Sequence, residues 1–255
     1  MCRLSRLPRA LIAAAALAVY AVVLKALAIG VVACVGQSPA ALDSHYEAEF
    51  VALFVLFFSP LLYGIVWLTR SGPDAAGAKP AATMPGMVCA AGFTFLCAAP
   101  LEILVDTAFV AATGQPCWEY RVWPIHRGYT SGVGAAMWPM YGAFVYAFHG
   151  AIRSRADLRC LHGLGARAAL VAVEAMVLEI AANAFALAVY GTFYFYYLPG
   201  DLNHLTTMQI LVPYLGAGML GLTLLEQVER LPYPAAVGVI SWVVGFGLLF
   251  GAGTL

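Results

Sequence analysis

Five ionisable residues stand inside long apolar runs of this chain: Lys25, Glu102, Asp106, Glu174 and Glu179. An ionisable group at mid-bilayer costs at least ~2.5–3.5 kcal/mol on insertion scales, so each must face the protein interior, pair, or be neutral. Glu102 and Asp106 are four residues apart and share one helix face, and Glu179 and Asn183 repeat the spacing. Two carboxyls this close do not both stay ionised cheaply unless Lys25 or a bound cation compensates. The chemistry implied is binding of a proton, a cation or a cationic solute. A Lys25–Glu102–Glu179 pairing that only fixes helix packing is the competing reading, because polar side chains also hold helices together. Glu174, five residues from Glu179, is expected to face elsewhere.

Other residues could complete such a site. Tyr63, Tyr141 and Tyr214, with Trp138, lie beside Pro60, Pro139 and Pro213. Each proline removes a backbone donor and kinks or opens its helix. The freed carbonyls and these rings then line a cavity, or the kinks are satisfied by neighbours and the rings merely pack. His45, His126 and His204 come from three separate loops and offer a zinc or copper set. They lack His-x-x-His or Glu-x-x-His spacing, so solvated or interfacial histidines are the default expectation and no metal or other cofactor is assigned. The aromatic stretches 118–124 and 193–197 read as an outer interfacial belt, with a lid over a cavity as the sharper alternative. Cys34 and Cys117 fall toward the outer face, where a disulfide is permitted. No Walker A, Gly-x-Ser-x-Gly or His-Glu-x-x-His motif occurs, so nucleotide hydrolysis, serine hydrolysis and zincin chemistry have no support.

The elements that must position these residues follow from composition. Of 255 residues 63% are hydrophobic and 10% charged, with a mean hydropathy of +0.86. Soluble domains run near a quarter charged, which excludes a soluble enzyme. Thirteen basic residues balance 13 acidic ones, which leaves no basic footprint for nucleic acid. The fold class expected is all-α, a polytopic membrane protein of seven spans at about 9–35, 48–69, 87–113, 132–152, 165–192, 205–225 and 233–253. Strands are not expected in these runs, which do not alternate with period two. The first run is too long for a signal peptide and reads as an uncleaved helix. Residues 71–86 read as a cytoplasmic linker, and the whole of 1–255 as one transmembrane domain.

Ten Lys and Arg residues fall on one side of these spans, including Arg3, Arg6, Arg9, Arg153, Arg155, Arg159 and Arg167, whereas Arg121 and Arg127 fall on the other. The N-terminus is therefore expected inside and the C-terminus outside, in a bacterial-type inner or plasma membrane. Self-similarity adds a further expectation. The charged residues Lys25, Glu102 and Glu179 precede Gly36, Gly114 and Gly191 by 11, 12 and 12 positions. The partner spans carry Pro60/Tyr63/Gly64, Pro139/Tyr141/Gly142 and Pro213/Tyr214/Gly216. Three parallel-related helical hairpins, about 9–69, 87–152 and 165–225, plus a seventh helix at 233–253 account for this pattern.

Residues 101–142 resemble part of the putative type IV ABC-transporter membrane protein family. The resemblance rests on Glu102 inside a helix, the Trp118-Glu119-Tyr120 loop, then Pro124, Gly128, Ser131 and Trp138. Glu119 stands where the family looks Asp-like, and His126 where it looks Asn-like. The resemblance implies a multi-pass membrane protein with a suggestion of transport, and no catalytic residues are carried over. Three functions remain open. One is a transporter or permease-like subunit for a proton, cation or cationic solute. The second is a membrane enzyme acting on a lipid or isoprenoid through a carboxyl general acid. The third is a binding or assembly protein whose buried charges are structural. The partners expected are the lipid bilayer, an unknown solute, ion or lipid, and a partner subunit or second copy of the chain.

Overall fold

The computed structural model describes residues 82–228 and 230–251, with scattered helical positions within 18–30 and 51–63. Five helices organise the continuous part: α1 (Met84–Thr113), α2 (Gly134–Ser154), α3 (Leu164–Tyr190), α4 (Leu211–Val228) and α5 (Pro234–Gly251). The described part is mostly helical, in line with the all-α expectation. Four short strands form in the connections: β1 (Trp118–Tyr120), β2 (Pro124–Ile125), β3 (Thr130–Ser131) and β4 (Phe195–Tyr197). Segments of α1, α3, α4 and α5 are long and apolar enough to cross a membrane, which fits an integral membrane protein. Helix α2 is not among these four, because Trp138, Pro139, Tyr141, Tyr146 and His149 dilute its apolar run. The first two expected spans, with Cys34 and His45, lie largely outside the described residues, as does most of the 71–86 linker.

Local chemistry sets the helix ends. Thr83 caps α1 by accepting the Gly86 N–H at 3.1 Å, and a proline follows in the first turn. The helix therefore starts three residues before the expected 87. Helices α1 and α3 both stop on a left-handed glycine, Gly114 at φ 80° and Gly191 at φ 71°. Helix α4 starts later than the expected 205, because Thr207 caps a short 3₁₀ turn (Met208–Ile210) instead of entering the helix. Pro139 lies inside α2, whereas Pro213 is the third residue of α4, where no ladder bond is lost. Pro100 inside α1 does remove a ladder donor, two residues before Glu102.

Helices α1, α3 and α5 run toward the strands, and α2 and α4 run away from them. Strand β1 pairs antiparallel with β4, placing Trp118 opposite Tyr197 and Tyr120 opposite Phe195. Strands β2 and β3 pair within the first connection. At the opposite end lie Arg153, Arg155, Arg159, Arg167 and Arg230. Helix α5 packs along α1 through glycines. A Cβ on Gly92 would meet the Gly238 carbonyl oxygen at 1.8 Å, and one on Gly238 would meet the Val88 carbonyl oxygen at 2.2 Å. Such close backbone approach is how small residues join helices in lipid. The largest core cluster sits where the strands meet α3, around Tyr194, Phe193, Met176 and Ile180.

Candidate functional site

Glu102 and Glu179 each occupy a cage of neutral donors. Tyr120 donates its hydroxyl to Glu102 Oε1, Thr130 Oγ1 donates to Oε2 at 2.6 Å, and the Trp138 indole N–H donates to Oε2 at 3.3 Å. Around Glu179, Tyr197 donates to Oε1 at 2.6 Å, Thr206 donates to Oε2, and Tyr214 donates to Oε1. The intervals along the chain nearly coincide: 18, 28 and 36 residues for Glu102, and 18, 27 and 35 for Glu179. Hydrogen bonds to a charged group contribute roughly 1.5–3 kcal/mol each, so three of them offset much of a carboxylate's burial. Burial and the adjacent Glu102 push the Tyr120 hydroxyl well above its usual range, and burial and Glu179 do the same for Tyr197. Both phenols are held as proton donors.

One helical turn above, Asp106 and Asn183 organise the strands. Asp106 Oδ1 accepts the N–H groups of Cys117 at 2.6 Å and Trp118 at 3.3 Å. Asn183 Oδ1 accepts those of Tyr194 at 3.1 Å and Phe195 at 3.3 Å. Both side chains are fully buried. Asp106 is eight residues before Gly114, about 12 Å down the helix, so β1 folds back into the bundle. Irregular backbone at such depth needs these acceptors, since nothing else there satisfies its N–H groups. The two connections also bind one another. The Arg121 N–H donates to the Tyr194 carbonyl at 2.9 Å, and the Leu198 N–H donates to the Cys117 carbonyl at 2.9 Å.

Both carboxyls line one cavity of about 250 Å³, enclosed by α1, α2, α3, α4, β1 and β4. Its walls include Trp118, Trp138, Tyr141, Tyr197 and Tyr214, and the described lining holds no Lys, Arg or His. It reaches the face on which Leu101, Leu220 and Leu224 are 36%, 58% and 37% exposed.

The site thus brings together Glu102, Glu179, Trp138, Tyr141 and Tyr214, with Asp106 and Asn183 behind them as backbone acceptors. Two expected members stand apart. Lys25 does not meet the carboxyls: its Nζ donates to the Asp201 carbonyl and approaches Asn203 Oδ1 at 3.4 Å. The ammonium is satisfied at the connection between α3 and α4. Tyr63 is 74% exposed and absent from the cavity lining. Of the histidines, His204 stacks on Tyr196 and its Nδ1 lies 2.7 Å from the Tyr197 carbonyl. No group of three or more His, Cys, Asp or Glu that could hold a metal occurs among the described residues. Cys34 lies outside the described residues, and Cys117 is a free, buried thiol. Burial, with the charge of Asp106 next, pushes its pKa up to about 12, so it is inert. Sequence reading missed Tyr120, Tyr197, Thr130 and Thr206 as partners. The signal was present as hydroxyls at matching distances from the two glutamates. Comparison of the chain with protein-family models, curated proteins and solved structures gives no match.

Proposed function

We propose that this chain is a membrane carrier or permease-like subunit that binds a proton or a lipophilic organic cation between Glu102 and Glu179. The observation that carries this reading is a cavity with two carboxyls, aromatic walls and no basic side chain in its described lining. Burying uncompensated negative charge is expensive, so the cavity holds protons or receives a cation. Tyr and Trp faces add cation–π attraction of ~0.5–2 kcal/mol for an organic cation. Access past Leu101, Leu220 and Leu224 suits a solute arriving from the acyl chains. The resemblance of residues 101–142 to a transporter membrane family agrees with this reading.

The same reading includes architecture. The hairpins α1–α2 and α3–α4 are repeats related by a pseudo-twofold axis along the membrane normal, passing between Glu119 and Tyr196, which stand opposite one another. The matching contact intervals support it. The strand end faces outside and the arginine end faces the cytoplasm. The test is binding of tetraphenylphosphonium to the purified full chain in detergent by equilibrium dialysis. Wild type binds, and Glu102→Gln and Glu179→Gln each weaken binding at least about tenfold, or about 1.4 kcal/mol. Absence of binding by wild type, or equal binding by all three proteins, overturns the reading. Turnover of an isoprenoid or lipid by the same preparation would favour the enzyme instead.

A further inference from the structure

Six buried side-chain polar atoms have no hydrogen-bond partner among the described residues, and five belong to three residues on the α2–α3 interface. They are the Tyr141 hydroxyl, both ring nitrogens of His149 and both carboxylate oxygens of Glu174. His149 is 2% exposed, and its Nε2 stands 3.5 Å from Glu174 Oε1. The Tyr141 hydroxyl lies within electrostatic range of both Glu174 and Glu179, and Tyr141 itself borders the cavity. On its other side His149 borders a gap of about 10 Å³ shared with Arg153, Arg167 and Glu226, room for about one water. There Arg167 pairs with Glu226, and Arg153 stands 3.9 Å from it.

Buried polar atoms are nearly always partnered, and a cluster that is not calls for a functional explanation. We propose that Tyr141, Glu174 and His149 are a proton relay that connects the carboxyl cavity to the arginine-bearing end. Each residue in this line can both give and accept a proton, in the order cavity carboxyl, phenol, carboxyl, imidazole. The Tyr141 oxygen accepts a proton from the Glu179 carboxyl as its own proton passes to the Glu174 carboxylate. Glu174 then protonates His149 at Nε2, and His149 releases the proton held at Nδ1 toward the gap. One proton enters and one leaves, and no bond between heavy atoms changes. Arg153 and Arg167, paired with Glu226, raise the positive potential at the exit and drive the imidazolium to discharge.

The inference deepens the carrier reading and rests on it for the identity of the cavity carboxyl. The test reconstitutes the full chain in vesicles with trapped pyranine, under a potassium–valinomycin potential, with and without tetraphenylphosphonium. Wild type admits protons several-fold faster than protein-free vesicles. Glu174→Gln and His149→Gln fall to the protein-free rate, while Glu174→Asp keeps part of the flux. Both glutamine variants retain tetraphenylphosphonium binding, which shows that they are folded. Wild-type flux equal to protein-free vesicles, or undiminished in either glutamine variant, overturns the relay. Probe binding without flux removes the relay and leaves the carrier reading standing. Flux without probe binding keeps the relay and removes the cation reading.

Discussion

The Glu102 and Glu179 hairpins solve one problem with two chemistries. Each carboxyl meets a strand tyrosine and a threonine, but the third donor is the Trp138 indole in one and the Tyr214 hydroxyl in the other. An indole N–H donates and accepts nothing, so the Glu102 cage ends there. Tyr214 gives and accepts, and it lies 3.5 Å from the Tyr197 hydroxyl. The Glu179 cage therefore continues from one hydroxyl to another, whereas Trp138 adds only a donor to the Glu102 cage. A second difference accompanies the first. Asn183 donates its amide to the Leu205 carbonyl at 3.0 Å. Asp106 has no such donor, and in its hairpin the Trp118 indole donates instead to the Tyr129 carbonyl at 2.9 Å. The Asp106 Oδ2 is left without a partner. A change of side chain at one place is answered by a donor at another, so the strand connection keeps its shape.

The largest expected effect breaks this contrast at the carboxyls. Glu179→Gln is expected to abolish pH-gradient-driven uptake of tetraphenylphosphonium into vesicles, whereas Glu102→Gln keeps measurable uptake with affinity weakened about tenfold. Equal loss in both variants would mean that the cages are equivalent. Next, Gly238→Leu drives a side chain into the Val88 backbone, where even a Cβ comes to 2.2 Å. It is expected to cost about 1–3 kcal/mol or more and to lower the unfolding temperature in detergent. Helix α5 touches the first hairpin through α1, so exchange protection is lost first in α1 and last in α3. A third contrast lies in Asn183→Asp. It strips the donor from the Leu205 carbonyl and is expected to cost about 1–3 kcal/mol, measured by denaturant unfolding. Asp106→Asn is expected to cost less, because Trp118 already serves Tyr129. A last contrast is Tyr120→Phe against Tyr197→Phe, each expected to cost about 1.5–3 kcal/mol for one hydrogen bond to a charged group. Equal values from thermal unfolding would sharpen the parallel between the hairpins, and a twofold disparity would blur it.

Much of the helical frame was legible in the residues. Gly114 and Gly191 mark the helix ends because only a residue without Cβ enters that conformation freely. Glu102/Asp106 and Glu179/Asn183 announce a shared face through four-residue spacing. The strands were not legible. Trp118–Tyr120 and Phe195–Tyr197 are each only three residues long, too short for a period to distinguish them from an interfacial belt. Their pairing joins segments far apart in the chain, which local propensity does not encode. The proline–tyrosine–glycine pattern also differs from the pattern of contacts. It matched Tyr141 to Tyr214, whereas contacts to the carboxyls match Trp138 to Tyr214. Lys25 illustrates the remaining gap. Equal depth in the sequence suggested a partner for the glutamates, but the long side chain instead satisfies backbone at the connection between α3 and α4.

The reciprocal bonds from Arg121 to Tyr194 and from Leu198 to Cys117 have a consequence for biogenesis. When the first hairpin has left the ribosome, β1 is an unpaired edge sunk among helices, with backbone groups that lipid cannot solvate. It stays so until residue 198 has been synthesised and inserted. The first hairpin is thus an orphan during the making of about 45 further residues beyond α2. A chaperone or insertase that holds it through this interval, or the strand of a neighbouring nascent copy, would compete for the same edge.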